Sequence, residues 1–310
     1  MMWRVPTPAV AGALAVASTA GLLSAMEPQV FRGGTDVVSL SVTVTDAAGH
    51  FVTGLDRPDF QVFEDGALQD ISNFARDPQP IALSILLDTS ASMEKKIAIA
   101  QEAAVGFVKR LGPDDVAEVI AFNSRAQIIQ PFTADRMALE QAIRRVEVGG
   151  STSLYNALYM ALSELKGMRA PAADRLRRQA IVVLSDGEDT SSLVAFDDVL
   201  DSAKRSEVDV YAIGLRSKDD GPVHGFNEAE YVLRTLSQET GGRVFFVTDA
   251  AQLQAIYQQI ADELANQYAL GYVSKNPRRD GAWRRIVVRV SRKETTVRTK
   301  SGYFGPTAGR

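Results

Sequence analysis

The 310-residue sequence contains no cysteine and only two histidines, His50 and His224. The lack of cysteine excludes disulfides, thiolate zinc sites and cysteine nucleophiles, and two histidines leave little for a histidine-based mechanism. A net charge of -4 gives no general argument for a nucleic-acid partner. The composition, 45% hydrophobic and 23% charged, is ordinary for a globular protein, which must here be stabilised by its core alone.

The amino-terminal end has no acidic residue before Glu27. Arg4 precedes an apolar stretch of small residues from Ala9 to Leu23, and Ala25 offers a small residue at a cleavage position. This pattern predicts a secretory signal peptide over residues 1–25, and therefore a periplasmic, cell-surface or extracellular location. An uncleaved amino-terminal anchor is the alternative, and no other membrane span is expected.

Two segments near the ends of the chain have the periodicity of β-structure. Apolar and hydroxyl residues alternate from Val38 to Thr45. Near the carboxyl terminus, the spacing makes Ile286, Val288 and Val290 face one way, while Arg285, Arg289 and Ser291 face the other. The segments 31–78 and 268–305 are each too small to bury a core alone. We therefore expect them to pair as one β module that flanks the middle of the chain.

In residues 81–267, short apolar runs alternate with helical stripes. The runs Ile81 to Leu87 and Ala180 to Leu184 are typical of buried parallel strands, and Ala126 to Phe132 indicates an antiparallel edge. This alternation predicts an α/β fold with a doubly wound, mostly parallel six-stranded sheet, Rossmann-like in its winding. In the strand order 3-2-1-4-5-6, the first and fourth strands are neighbours at the point where the winding reverses.

Each of these two strands ends in a short acidic turn, Asp88-Thr-Ser90-Ala-Ser92 after the first and Ser185-Asp186-Gly187 after the fourth. Open α/β sheets bind ligands at this edge. A glycine turn, Gly149-Gly150-Ser151-Thr152-Ser153-Leu154, leads into a helix and is expected to bring Thr152 beside the aspartates. Carboxylates and hydroxyls gathered there suit a hard divalent cation, which takes only oxygen ligands.

Together these three elements resemble the metal-ion-dependent adhesion site (MIDAS) of von Willebrand factor type A domains: D-x-S-x-S, a threonine in G-G-x-T-x-L, and an aspartate in S-D-G. The flanks, Val42 to Gln69 and Tyr268 to Tyr303, resemble a bacterial secreted family of related proteins. The resemblance implies a non-catalytic adhesion module in the cell envelope or outside the cell. It covers residues 81 to about 267, which we take as the type A domain.

The resemblance also implies the roles of the five motif residues. Ser90, Ser92 and Thr152 would be direct hydroxyl ligands, while Asp88 and Asp186 would act largely through waters. The implied ion is Mg²⁺, with Mn²⁺ as an alternative. Neutral hydroxyl ligands leave the ion much of its charge, and Mg²⁺ retains waters, one of which a carboxylate of a partner protein can displace.

Some residues beside these motifs are open to two interpretations. Glu188 and Asp189, together with Ser151 and Ser153, are predicted to form a ligand-binding rim. The two acidic residues extend the second acidic turn and could tune the ion, although a solvated loop is the favoured interpretation for them. Asp88 and Ser92 taken alone also fit the capping of a helix that starts near Lys95.

The carboxyl-terminal segment is strongly basic. These residues could make weak contacts with anionic envelope polymers, but a solvated strand face that protects a sheet edge is the favoured interpretation. The residues concerned are Lys275, Arg278, Arg279, Arg284, Arg285, Arg289, Arg292, Lys293, Arg298 and Lys300.

Two enzymatic alternatives were weighed against a binding module. The stretch Leu86 to Ala91 resembles the active-site turn of aspartic proteases, but such a site needs a second aspartate that shares a proton and a mostly β fold. A phosphoryl-transfer enzyme is disfavoured because the sequence lacks a Walker lysine motif and a G-x-G-x-x-G loop. We therefore expect no catalytic residues.

Overall fold

The computed structural model describes Met1 and residues 37–77, 79–168, 178–186, 189–215 and 228–307. The rest of the predicted signal peptide lies outside the described residues, as does Glu188. The strands are β1 (Val37–Asp46), β2 (Phe60–Glu64), β3 (Ala67–Gln69), β4 (Ile71–Ala75), β5 (Ile81–Asp88), β6 (Val116–Phe122), β7 (Ala126–Thr133), β8 (Arg178–Ser185), β9 (Val208–Leu215), β10 (Val244–Val247), β11 (Tyr268–Val273), β12 (Trp283–Val290), β13 (Thr295–Arg298) and β14 (Gly302–Phe304).

A six-stranded sheet in the order β10-β9-β8-β5-β6-β7 forms the centre of the protein. All neighbouring strands are parallel except β6 and β7, so β7 is the antiparallel edge that the sequence predicted. The strands β5 and β8 are the first and fourth of this sheet in chain order and lie side by side. The predicted doubly wound arrangement is confirmed.

Helices cover both faces of the sheet because alternate strand residues point to opposite sides. The helices are α1 (Ile97–Val108), α2 (Arg136–Arg144), α3 (Leu154–Gly167), α4 (Phe196–Arg205), α5 (Glu228–Thr240) and α6 (Leu253–Ala265). Leu83, Ile85 and Leu87 of β5 belong to one apolar cluster with α1, α2 and α6, whereas Ala82 and Leu86 belong to a second cluster with α3, α4 and α5. Of the helices in the described residues, none combines the length and apolar character needed to cross a bilayer.

The flanking β module consists of two four-stranded sheets, β13-β1-β11-β4 and β14-β12-β2-β3. Strands from the two ends of the chain pair directly, β1 with β11 and β2 with β12, both antiparallel. One apolar cluster receives residues from both sheets, for example Leu40 and Leu270 from the first and Val62 and Ile286 from the second. The two terminal segments therefore build one core together, as expected for segments that are each too small to bury a core.

A buried ion pair crosses this core. Arg284 and Glu64 are each 2% exposed in their side chains, and Arg284 Nη1 lies 3.4 Å from Glu64 Oε1. Glu64 also accepts hydrogen bonds from Tyr272 at 2.9 Å and Ser274 at 2.6 Å. The prediction of a solvated basic face is therefore wrong for Arg284, which shares the inward face of β12 with Ile286.

A second buried carboxylate connects the module to the last helix. Glu263 of α6 accepts hydrogen bonds from Tyr211 of β9 at 2.8 Å and from Thr43 of β1 at 3.3 Å. Arg298 of β13 completes the cluster as the ion-pair partner of Glu263, so this second member of the basic run is only partly solvated. These contacts attach the β module to the end of α6.

Candidate metal centre

The acidic turns meet because β5 and β8 run in parallel register. Leu87 pairs with Leu184, so the residues that follow them leave the sheet side by side. Ser185 Oγ donates a 2.6 Å hydrogen bond to Oδ2 of Asp88, whose side chain is fully buried. Asp88 therefore lies at the buried base of the polar cluster that the two acidic turns form, where a hydrogen bond from the neighbouring strand β8 holds it in place.

The first turn carries a chain of polar contacts outward from this base. Asp88 Oδ1 accepts a 2.9 Å hydrogen bond from the backbone N–H of Ser90. The hydroxyls of Ser90 and Ser92 lie 2.9 Å apart, and Ser92 Oγ donates to Asp186 Oδ1 at 2.6 Å. Four of the five predicted ligand residues are thus connected by consecutive contacts.

The glycine turn is fastened to the first turn through the backbone. Gly149 N donates to Thr89 O at 2.8 Å, and Ala91 N donates to Gly150 O at 3.0 Å. Both glycines have positive φ angles, 155° for Gly149 and 83° for Gly150, which other L-residues rarely adopt. The third sequence element therefore lies on the same edge of the sheet as the first.

Thr152 connects this turn to the loop that follows Asp186. Its backbone N–H donates to Thr190 Oγ1 at 2.9 Å, and its carbonyl accepts from the N–H groups of Thr190 and Ser191 at 2.9 and 3.0 Å. The residue is 6% exposed. Thr152 is therefore held between the elements that carry the two aspartates.

A lysine that sequence reasoning missed completes the cluster. Lys96 Nζ lies 2.6 Å from Asp186 Oδ2, and the Asp186 side chain is 2% exposed whereas that of Lys96 is 28% exposed. Nothing in the sequence separates Lys96 from the adjacent Lys95, except that Lys96 lies four residues, about one helical turn, after Ser92. With Ser92 on Oδ1 and Lys96 on Oδ2, both oxygens of Asp186 are engaged.

The electrostatics of the site favour a positive charge. Burial raises the pKa of the Asp88 carboxyl; the hydrogen bonds from Ser185 and Ser90 oppose this rise and the negative charge of Asp186 adds to it. The candidate metal-ligating atoms are all oxygens of carboxylates and hydroxyls, the ligand types that Mg²⁺ and similar hard cations take. In the described part of the chain, no group of three or more histidine, cysteine and acidic side chains could hold a metal, so a cation here would need the hydroxyls.

The structure separates the residues predicted for the ligand-binding rim. Ser151 is exposed, and its hydroxyl lies 3.0 Å from that of Ser124. The prediction that Ser153 belongs to this rim is wrong, since its side chain is fully buried. Only the first of these two serines can meet a partner at the surface.

Asp189 has a structural role instead of a free position in a loop. Its Oδ1 accepts hydrogen bonds from the backbone N–H of Tyr155 at 3.1 Å and from the hydroxyl of Ser192 at 2.6 Å. Since Tyr155 is in the first turn of α3, Asp189 satisfies an N–H at a helix start, where a negative charge is favourable.

The contacts also address the alternatives. Helix α1 begins only at Ile97 and receives no side-chain cap from Lys96, while the Ser92 hydroxyl is directed to Asp186. Asp88 is bonded to Ser90 and Ser185, which differs from the proton-sharing aspartate pair of an aspartic protease. The α/β fold is also not the mostly β fold which that alternative requires.

Comparison with known proteins agrees with this geometry. The sequence-family model of the von Willebrand factor type A domain matches residues 83–259, which is more than half of the chain. An uncharacterized protein of Borreliella burgdorferi is 26% identical over 200 residues, which cover 57% of this chain and 57% of that protein, so this chain spans little more than half of its relative's length.

Two solved structures share the fold. A von Willebrand factor type A structure from Catenulispora acidiphila has a TM-score of 0.52 at 14% sequence identity. The aligned region spans 89% of this chain and 76% of that chain. Proximal thread matrix protein 1 from the mussel byssus has a TM-score of 0.51 at 18% sequence identity, and its structure is described as having a zinc-occupied MIDAS motif. The aligned region spans 66% of this chain and 50% of that chain. Domains of this type are typically metal-dependent, generally non-catalytic modules for protein–protein interaction. The chain belongs to the von Willebrand factor type A domain family.

Proposed function

We propose that this protein is an exported, non-catalytic binding module that uses a divalent cation to capture a carboxylate of a partner protein. The observation that carries the proposal is the path of contacts from Asp88 through Ser90 and Ser92 to Asp186. It gathers hydroxyls and carboxylates from two separate loops around one point. A structural role alone does not require two carboxylates and two hydroxyls joined by consecutive contacts at the open edge of a sheet.

The proposed ligands are the hydroxyls of Ser90, Ser92 and Thr152, with Asp88 and Asp186 supplying the negative charge. Mg²⁺ is the proposed ion and Mn²⁺ the alternative, because the donors are all oxygens. The ion would act as a Lewis acid with one exchangeable position for a partner's carboxylate. The zinc-occupied motif of the mussel protein supports the view that this fold can hold a divalent ion in such a site.

The rest of the chain is assigned around this site. The proposed type A domain is 81–267, the β module combines 31–78 with 268–305, and residues 1–25 direct export. Ser151 is the proposed exposed rim residue. We propose a protein partner, and no nucleic acid, because the net charge is -4 and the site is built for an acidic ligand.

Titration with Mn²⁺ and Mg²⁺ by isothermal calorimetry tests the site directly. We expect wild-type protein to bind one ion and Asp186→Asn to lose at least about tenfold in affinity, since the loss of a carboxylate charge beside the ion costs more than about 1.4 kcal/mol. Glu94→Gln is the matched control, because Glu94 is exposed and only two residues beyond Ser92. Equal affinities for wild type and Asp186→Asn would contradict the assignment.

Capture of a partner tests the second part of the proposal. The immobilised wild-type protein is incubated with envelope extract in Mg²⁺ and in chelator, beside Asp186→Asn and Glu94→Gln in Mg²⁺. Proteins retained only by wild type and Glu94→Gln, and only with Mg²⁺, are the expected partners. Retention that is insensitive to chelator would count against a cation-mediated contact.

A further inference from the structure

Lys96 supplies a positive charge at the point where a cation would be needed. Its ammonium group lies 2.6 Å from Asp186 Oδ2, and this carboxylate is almost completely buried. A buried carboxylate without a counter-charge is costly, because little solvent remains to screen it. Lys96 therefore offsets the charge of Asp186 from within the chain.

The same oxygen cannot favourably serve two cations. A divalent ion that drew on the charge of Asp186 would place two positive groups against one carboxylate. At short range and low exposure such repulsion is much stronger than between surface charges. Lys96 is also partly exposed, at 28%, so its side chain has a route into solvent.

We propose that Lys96 is an internal counter-cation that competes with the divalent ion for Asp186, lowers the metal affinity of the site, and stabilises the site when no ion is bound. The inference rests on the proposed function, because it assumes that the cluster holds a cation. Binding of the ion then requires displacement of the ammonium group from Asp186. Lys96 is thus a determinant of affinity and not a ligand.

The test compares Lys96→Met with Lys95→Met. Both variants remove one positive charge from adjacent residues, but Lys95 is exposed whereas Lys96 is directed to Asp186. In calorimetric titrations with Mn²⁺ and with Mg²⁺, we expect Lys96→Met to bind about tenfold or more tightly than wild type, and Lys95→Met to remain within about threefold. Lys96→Arg should bind more weakly than wild type, because a guanidinium group can form a bidentate pair with a carboxylate.

A second readout does not need bound metal. In EDTA, Lys96→Met should unfold at a lower temperature than Lys95→Met, because Asp186 loses its counter-charge. Saturating Mg²⁺ should raise the unfolding temperature of Lys96→Met more than that of wild type, in line with its tighter binding. If Lys96→Met does not fold in EDTA, the Lys96→Arg titration decides.

The outcomes separate the two proposals. If wild type binds the ion and Lys96→Met binds it no more tightly, or Lys96→Arg binds it no more weakly, the role of Lys96 is refuted while the metal site stands. If neither wild type nor any Lys96 variant binds an ion, both proposals are wrong. If Lys96→Met binds the ion more tightly than wild type and Lys95→Met does not, the result supports both the metal site and the role of Lys96.

Discussion

The hydroxyl of Ser92 donates a 2.6 Å hydrogen bond to Oδ1 of Asp186, a residue 94 positions away in the chain. A serine hydroxyl has one proton to donate and two lone pairs with which to accept. Because the proton is directed to Asp186, the lone pairs of Ser92 remain for Ser90 or for a cation. The bond thus orients Ser92 as an oxygen ligand.

Ser92→Ala is expected to lower the affinity for Mn²⁺ by about tenfold or more, since it removes a proposed ligand and the bond that orients Asp186. Ser151→Ala is the matched control, because Ser151 lies on the same edge but its hydroxyl contacts Ser124. Calorimetric titration of both variants provides the measurement. Equal losses in the two would show that the effect is not specific to the DxSxS turn.

The convergence of the two aspartates could be predicted because it depends on strand order and register. Two buried apolar runs, each followed by an acidic turn, are sufficient to place Asp88 and Asp186 at one edge once the strands are parallel neighbours. The burial of Glu64 and Arg284 was not predicted, although their positions in the strand periodicity are consistent with it. Glu64 continues the inward face of Phe60 and Val62, and Arg284 continues that of Ile286.

Other features depend on three-dimensional neighbours that no periodicity encodes. The choice of Lys96 over Lys95 as the partner of Asp186 depends on the path of the chain through the short 3-10 helix Ala91–Met93, which precedes α1. Ser153 is adjacent to Thr152 in sequence but is buried, and Asp189 lies only three residues after Asp186 but caps α3. Local sequence proximity was a poor guide to the rim.

The buried carboxyl group of Glu118 is expected to make the protein less stable as the pH rises. It is 1% exposed on β6, accepts a hydrogen bond from Ser84, and has no hydrogen-bond partner for Oε2 within the described residues. Burial raises the pKa of Glu118 from 4.5 to about 7; the hydrogen bond from Ser84 opposes this rise, and the negative charge of Glu164 adds to it.

The direction in which stability changes with pH follows from the difference in proton binding between the folded and unfolded states. The folded state holds the Glu118 proton more tightly than the unfolded state, so its contribution to stability is complete below the unfolded pKa and is lost as the pH rises through the folded pKa. Relative to Glu118→Gln, the free energy of unfolding of wild type should fall by about 3 kcal/mol between pH 4.5 and pH 8. Urea denaturation of both proteins at several pH values measures this difference, and a constant difference would contradict the prediction.

Arg284→Met should destabilise the β module strongly. It leaves the Glu64 carboxylate, 2% exposed, without its cation, and such a loss costs about 3–5 kcal/mol. Arg285→Met, the matched control on the exposed face of the same strand, should change stability by no more than about 0.5 kcal/mol. Denaturation midpoints that agree for the two variants would show that the ion pair is dispensable.

Gly150 offers a way to disturb the proposed site without changing a ligand. A Cβ atom at this position would lie 2.4 Å from Ser124 Oγ, and this oxygen accepts a 3.0 Å hydrogen bond from the N–H of Ser151. Gly150→Ala should therefore displace Ser124, release Ser151 and move the adjacent Thr152. We expect the affinity for Mn²⁺ to fall by about tenfold, as for the loss of a ligand.

Gly66→Ala controls for backbone strain, because Gly66 has a φ of +84°, close to the +83° of Gly150, but nothing lies within 4 Å of its added Cβ. Both substitutions should cost about 1 kcal/mol of stability, since both force alanine into a left-handed conformation. Only Gly150→Ala should also weaken metal binding. If the two variants bind Mn²⁺ equally well, the position of Thr152 does not control the site, and its assignment as a ligand fails.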